Sequence, residues 1–286
     1  MQWYAENPVL LKVPPLTKSQ VGESSVTKPR KTLIGPAEKK WLHQCRRSGK
    51  EHRMRYIVSA ALGLWLGLGT ALQAESQQGL VVELYTSQGC SSCPPADEHF
   101  AKLVQTPGII ALSLHVDYWD YIGWADTFAN AKFTERQKRY AHAAGSKMIY
   151  TPQLIVNGRD RVEGNQPSKV SSAVAKGLGT ASEVSLTLIR DGEKVLIRAT
   201  SAYPIPAGTR VQVVRYTKRA TVDIERGENA GQSVTYHNIV TSWADVGEWS
   251  GGQALEMSAK AAGGAPVVVI IQAAGPAEIL AAAQLD

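Results

Sequence analysis

The chain has 286 residues, 44% hydrophobic and 20% charged. That excludes a disordered polymer and leaves room for about two domains of ordinary size. Its net charge of +6 is uneven: residues 1–74 hold 12 Lys/Arg against 4 Asp/Glu, whereas residues 75–286 hold 19 against 21. The basicity belongs to the N-terminal segment, so the folded part lacks the electrostatic footprint of a nucleic-acid-binding protein.

Residues 1–53 are rich in Pro, Lys and Ser and show no sustained period. They read as a disordered basic leader, or as residues upstream of a true start at Met54. Cys45 is set aside with them. From Met54 the chain runs MRYIVSAALGLWLGLGTALQAES, with a basic start, an apolar core and small residues before Glu75. This layout predicts a secretory signal over residues 54–74, cut after Ala71 or Ala74. An uncleaved anchor is the alternative, since the apolar stretch is near the lower limit for a spanning helix. Export implies the periplasm or the exterior, where disulfides persist, and no membrane role beyond the signal.

Leu80–Thr86 (LVVELYT) predicts a buried strand. Cys90 and Cys93 follow in QGCSSCPPAD, and CxxC alone serves redox, metal and structural chemistry equally. Pro94–Gln105 carries Ala96, Phe100, Leu103 and Val104 on one helical face, and Pro107-Gly108 breaks it. Ile109–Val116 predicts a second buried strand, and an aromatic loop, DYWDYIGWAD, follows. Thr134 to Gln137 has the form of a capping box for a helix ending at Ala144–Gly145. Thr151-Pro152 precedes the strand QLIVN. Asn157-Gly158 then signals a tight hairpin, and Pro167 opens a helix closed by Gly177 and Gly179.

The order β-α-β-α-β-β-α over residues 80–179 is that of the thioredoxin fold. More narrowly, GCSSCPPAD, HVDYWDYIGWAD, TPQLIVNG and RGENAG…TYHNIV resemble DUF1223, a family of exported bacterial proteins. The resemblance runs from about Leu80 to the C-terminus. It implies an α/β, thioredoxin-like domain over residues 78–180 with CxxC at a helix N-terminus. It also implies a cis Thr151–Pro152 bond beside the cysteines, where backbone groups are free to pair with an extended substrate.

The residues themselves place Cys90 and Cys93 on the first turn of a helix after a strand. There the partial positive charge and free N–H groups favour a thiolate. Cys90, the more exposed member, is the expected nucleophile and Cys93 the resolving thiol. The catalytic candidates are therefore Cys90 and Cys93, and the substrate-binding candidates are Thr151, Pro152, Asp117 and Tyr118. Glu83 is the one acid named for proton transfer, and its plainer reading is a solvated residue at the sheet edge. Trp119 and Trp124 read as an aromatic plug over the sheet. A structural or vestigial disulfide remains open, as does a copper carrier using Cys90, Cys93 and His115. So does a non-catalytic binding module that uses the aromatic edge. No second CxxC completes a zinc site, and no nucleotide-cofactor motif is present.

Beyond Gly179 the pattern turns to alternating strands: VSLTLIRD, EKVLIRATS, RVQVVRYTKRATVDI and APVVVIIQAA. This predicts an all-β, sandwich-like domain over residues 181–286, closed by Val267–Ile271. Arg226–Gly231 (RGENAG) reads first as a turn, and second as a loop that contacts the cysteine-bearing half. The expected activity is thiol–disulfide exchange with a protein or small-thiol substrate and no cofactor.

Overall fold

Twelve strands, three α-helices and a short 3₁₀ turn make up the described chain, so β-structure dominates. The structure is a computed structural model and describes residues 76–286. The leader, the signal segment and Cys45 lie outside the described residues.

The elements begin with a two-residue strand β1 (Gln77–Gln78) and then β2 (Leu80–Thr86), which is buried along its whole length. Helix α1 (Pro94–Val104) starts with two prolines in its first turn, where a missing N–H costs no intrahelical bond. It is followed by β3 (Ile109–His115), the 3₁₀ turn Asp120–Ile122, and α2 (Ala131–Ala143). Helix α2 begins a turn earlier than the capping-box pattern predicts. Asn130 is its N-cap, accepting from the Lys132 N–H at 3.0 Å, and Thr134 lies inside the helix. The hairpin β4 (Gln153–Val156) and β5 (Asp160–Glu163) turns on Asn157 and Gly158, both at positive φ. Helix α3 (Pro167–Leu178) follows.

The second half holds β6 (Val184–Asp191), β7 (Lys194–Ser201), β8 (Arg210–Asp223), β9 (Ser233–Glu248), β10 (Leu255–Lys260), β11 (Val267–Gln272) and β12 (Ile279–Leu285). Strands β6, β7 and β10 form a three-stranded sheet. The other nine run in the order β1-β12-β11-β8-β9-β3-β2-β4-β5. This overturns the expected architecture. The molecule is not a thioredoxin-like α/β domain followed by a separate β-sandwich. It is a mostly β protein in which strands from the C-terminal half extend the sheet that carries β2 and β3.

The physical reason lies in β3 and β11. The outer edge of β3 takes β9 as its neighbour through a parallel pairing at Ser113↔Ile239, and Asn238 Nδ2 donates to the Ala111 carbonyl at 2.9 Å. An apolar strand edge left bare is an aggregation hazard, and β9 removes it. The nine-stranded sheet then curls, so that its far strands cover the inner face of β2 and β3. Val81, Tyr85, Ile110, Leu112 and Leu114 share a core with Val214, Tyr216, Val240, Val268, Ile270 and Ala282. Strand β11, VVVIIQ, was expected to close a sandwich. It lies between β12 and β8, and its continuous apolar run follows from burial on both faces. Val268 and Ile270 face this inner core, while Val267, Val269 and Ile271 face the three-stranded sheet. A third core forms where α1 and α3 cover the opposite face of β2 and β4, with Phe100, Leu103, Val170 and Val174 against Val82, Leu84 and Leu154.

Glu83 is the polar centre of the inner core. It is fully buried, not solvated at an edge. Arg136 of α2 donates to it twice, from Nε and Nη2, each at 2.8 Å. Tyr140 and Tyr85 donate their hydroxyls at 2.7 and 2.9 Å. Arg136 also donates to Gln272 Oε1 of β11 at 3.1 Å and stacks 3.7 Å over the Trp243 ring of β9. Burial pushes the guanidinium toward losing its proton, but Glu83, Tyr140 and Tyr85 outweigh this and hold Arg136 above its ordinary range. Removing one member of a buried pair leaves the other charge uncompensated, at a cost of about 3–5 kcal/mol. Arg136→Met is therefore expected to lower unfolding free energy by about that much in urea titrations. A loss below about 1 kcal/mol, the range of a surface pair, would contradict the assignment.

Candidate functional site

The turn after β2 carries Cys90 and Cys93, which form a disulfide with Cα atoms 5.4 Å apart. The chain closes this turn through its own backbone. Cys90 N–H donates to the Ser87 carbonyl at 3.2 Å and Cys93 N–H to the Cys90 carbonyl at 3.1 Å. Cys93 is already helical and is the N-cap of α1, with Ala96 and Asp97 N–H donating to its carbonyl at 2.8 and 3.0 Å. The two sulfurs thus sit at the positive end of the helix, where thiolates are stabilised. Both cysteines are buried, Cys90 at 1% and Cys93 at 0% exposure, while Ser91 and Ser92 are exposed. The expectation that Cys90 is an exposed nucleophile therefore does not describe this state.

Thr151 and Pro152 are brought to the same place. Ser92 Oγ lies 3.5 Å from the Thr151 carbonyl, and the Thr151–Pro152 peptide is cis. Pro152 packs close to the start of α1: a Cβ added at Gly164 would meet Pro152 Cβ at 2.9 Å and Ala96 Cβ at 3.2 Å. The aromatic loop flanks the other side. Trp119 donates its indole N–H to Thr151 Oγ1 at 2.7 Å, Trp124 donates to Gln88 Oε1 at 2.8 Å, and both rings are half-buried. Tyr121 is 81% exposed.

Asp117 and Tyr118 are held by α2. Asp117 accepts from the Thr134 hydroxyl at 2.6 Å, and Tyr118 donates to Gln137 Oε1 at 3.2 Å. Burial pushes the Tyr118 phenol up to about 12, keeping it a neutral donor. These two residues anchor the loop on the helix.

A buried polar cluster adjoins the cysteine turn, and of its members only His115 stands out in the sequence, as a copper-ligand candidate. His115, at the end of β3, is fully buried, and its Nδ1 lies 2.7 Å from Asp126 Oδ2. The same oxygen accepts the Gln88 N–H at 2.8 Å, and Oδ1 accepts the Phe128 N–H at 2.8 Å. The His115 ring is boxed edge-on by Phe128 and Tyr236, and its Nε2 is buried with no hydrogen-bond partner. Among the described residues no group of three or more His, Cys, Asp or Glu is placed to hold a metal. His115 is thus engaged through one nitrogen by Asp126 and not grouped with the cysteines as a ligand set.

Asp97 completes the cluster. It follows Cys93 by one helical turn on the same buried face and accepts the Thr86 hydroxyl at 3.1 Å. Burial raises its carboxyl to about 7, opposed by His115 and the Thr86 hydrogen bond. The sequence did carry a signal. Residues 93, 97, 100 and 104 share a helical face, and Asp97 is an acid inside that apolar stripe. Glu83, the acid named from sequence, belongs to the Arg136 network.

The last contributor comes from the β8–β9 tip. Asn229 is 2% exposed, and its Nδ2 donates to the Gln88 carbonyl at 2.9 Å and the Cys90 carbonyl at 3.0 Å. The RGENAG segment is a turn, and it also contacts the cysteine-bearing half.

A family profile described as "Protein of unknown function (DUF1223)" matches residues 81–272. A crystal structure of protein AGR_C_4864 from Agrobacterium tumefaciens is 35% identical, with a TM-score of 0.62 over 72% of this chain and 93% of that one. The chain belongs to the DUF1223 family. HBP35 of Porphyromonas gingivalis is 13% identical with a TM-score of 0.52, over 73% of this chain and 74% of that one, a likeness of fold alone. None of the curated proteins matches the chain. The DUF1223 match spans both halves of the curled sheet, from β2 to β11.

The position of Asp97 has a measurable consequence for stability. Its folded pKa lies above the unfolded value of about 3.9. The folded state therefore binds more protons between those values, and stability from this group falls as pH rises toward about 7. Asp97→Asn, which mimics the protonated form, is expected to gain on the wild type by roughly 2–3 kcal/mol between pH 5 and pH 8. Urea midpoints at both pH values measure this; a pH-independent difference would contradict the buried carboxyl.

Proposed function

We propose that this DUF1223 protein is a thiol–disulfide oxidoreductase of the cell exterior, working through the Cys90–Cys93 pair. The observation that carries the reading is a two-residue-spaced disulfide on the first turn of α1, with a buried acid one turn behind Cys93. A disulfide placed for structure alone has no need of a buried, protonatable carboxyl, since such burial costs free energy. Perturbed groups of this kind concentrate at functional sites.

In the reductive direction of the exchange, a substrate thiolate attacks Cys90 Sγ. A mixed disulfide forms, the Cys90–Cys93 bond breaks, and Cys93 leaves as a thiolate. Protonated Asp97 supplies the proton that this thiolate takes up. A second substrate thiol, as its thiolate, attacks the substrate sulfur of the mixed disulfide and releases Cys90. The substrate dithiol is oxidised and the protein disulfide reduced, two electrons moving. In the reverse direction Cys90 thiolate attacks the substrate disulfide and one substrate thiolate leaves. Asp97 carboxylate then takes the proton from Cys93, whose thiolate attacks Cys90 Sγ and releases the second substrate thiolate. The substrate is a thiol of a protein or a small molecule, and no cofactor enters the step.

Export rests on the layout of residues 54–74, read as a secretory signal. An oxidising exterior suits a protein whose two described cysteines are paired.

Burial of both sulfurs favours a second reading, a closed structural disulfide. Equilibration with glutathione separates the two. Exchange proteins have potentials of about −270 to −120 mV, and structural disulfides lie below about −300 mV. A potential in the first range is expected here. Cys93→Ser is further expected to accumulate mixed disulfides through Cys90, and Cys90→Ser to accumulate none. Corrected for the thiolate fraction of the reductant, the reduction rate of the wild type is expected to fall as pH rises through about 7, where Asp97 loses its proton, with Asp97→Asn flattening that step. A potential below about −300 mV, with no trapped partner, would leave the structural reading.

A further inference from the structure

The cysteine turn is contacted by a segment 139 residues further along the chain. Strands β8 and β9 pair from Arg210↔Glu248 out to Asp223↔Ser233, and the outer part of β9 packs against α1. Asn238, at φ 46, marks where the hairpin departs from its single pairing with β3. Beyond it the tip is braced by its own backbone: Ile224 N–H donates to Gln232 at 2.9 Å and Gly231 N–H to Ile224 at 2.7 Å. Residues 225–228 and 230–232 of this tip are exposed. Asn229 alone among them is turned inward, onto the carbonyls of Gln88 and Cys90. The tip also touches the aromatic loop at Gly227, where φ is +78 and an added Cβ would lie 3.2 Å from Trp124 Cβ.

Between Ile224 at its base and Ser233 the tip buries only Asn229, and such a segment opens at lower cost than the sheet unfolds. With the tip in this position both cysteines are buried. We propose that the β8–β9 tip is a specificity-determining cover over the Cys90–Cys93 disulfide, latched by Asn229, that favours a polypeptide thiol over a small one. This rests on the exchange reading of the same site. When Asn229 withdraws, the buried Gln88 carbonyl loses its donor and the Cys90 carbonyl keeps only the Cys93 N–H. Buried acceptors left without partners are costly. A polypeptide carrying the reacting cysteine brings backbone N–H groups that replace the Asn229 amide on those carbonyls. A small thiol brings none, and it reacts only through the open state without compensation. Asn229 is a positioning and selecting residue, since it touches the turn and not the sulfurs.

The test uses the oxidised full chain and its Asn229→Ala variant, with dithiothreitol and a dicysteine peptide as reductants. Asn229→Ala is expected to speed reduction by dithiothreitol about tenfold, the worth of one to two neutral hydrogen bonds. The peptide should gain less, so the preference of the wild type for peptide narrows. A folded variant, with the wild-type melting temperature, that reacts with both reductants at wild-type rates would overturn the proposal. If Asn229→Ala does not fold, the wild type decides with phosphines of increasing bulk. Rates falling at least tenfold beyond the intrinsic reactivity of each reagent toward a model disulfide support the cover, and parallel rates overturn it. None of these reagents requires exchange activity. An inert redox pair would therefore fail the glutathione equilibration while still showing the latch effect.

Discussion

The Glu83–Arg136 pair is the constraint on which this fold depends. A carboxylate and a guanidinium at the centre of an apolar core are tolerated only when each hydrogen-bonding position is met. Here the partners come from four elements: Tyr85 on β2, Tyr140 on α2, Gln272 on β11 and the face of Trp243 on β9. Meeting those demands requires the C-terminal strands to close over the inner face of β2. The curl of the nine-stranded sheet and the burial of Glu83 are therefore two aspects of one arrangement. A helix-covered β2 with an independent β-sandwich could not supply Gln272 and Trp243.

That closure also makes the site. With β9 seated along β3, the β8–β9 hairpin is directed across α1, and its tip arrives at the turn holding the cysteines. Tyr236 is carried onto His115 by the same strand. The cysteine turn, the Asp126 hub and the Asn229 contact thus come from three distant stretches of sequence. Each satisfies buried polar groups of another: Asp126 takes the Gln88 N–H and Asn229 takes the Gln88 carbonyl. Gln88 is the residue through which the aromatic loop and the hairpin tip meet.

The reading of the cysteines as a helix-start pair agreed with the structure because it depends on local features alone: a strand, a turn and two prolines. The same holds for Asn157-Gly158, whose positive φ values are demanded by a tight turn. Misreadings arose where a residue's environment is supplied by distant strands. Glu83 looks solvated because glutamate usually is, and nothing nearby announces Arg136, 53 residues away. Strand β12, ILAAAQL, has no β-branched run beyond its first residue, and its alanines fit because neighbouring cores leave little room. Asp97 was legible in principle as an acid within an apolar helical stripe.

The sequence by itself determined most local elements, the CxxC at a helix start, the tight hairpin and the family to which the chain belongs. Periodicity, turn chemistry and capping act over a few residues, and they survive without knowledge of the rest. Only the tertiary structure decided that the two halves share one sheet, that Glu83 is buried, and that Asn229 and the His115–Asp126 pair are tied to the cysteine turn. Those outcomes depend on which edge of β3 is covered and on where buried charges find partners. Both are settled by contacts across the whole chain, because burial makes an unpaired polar group too costly to leave.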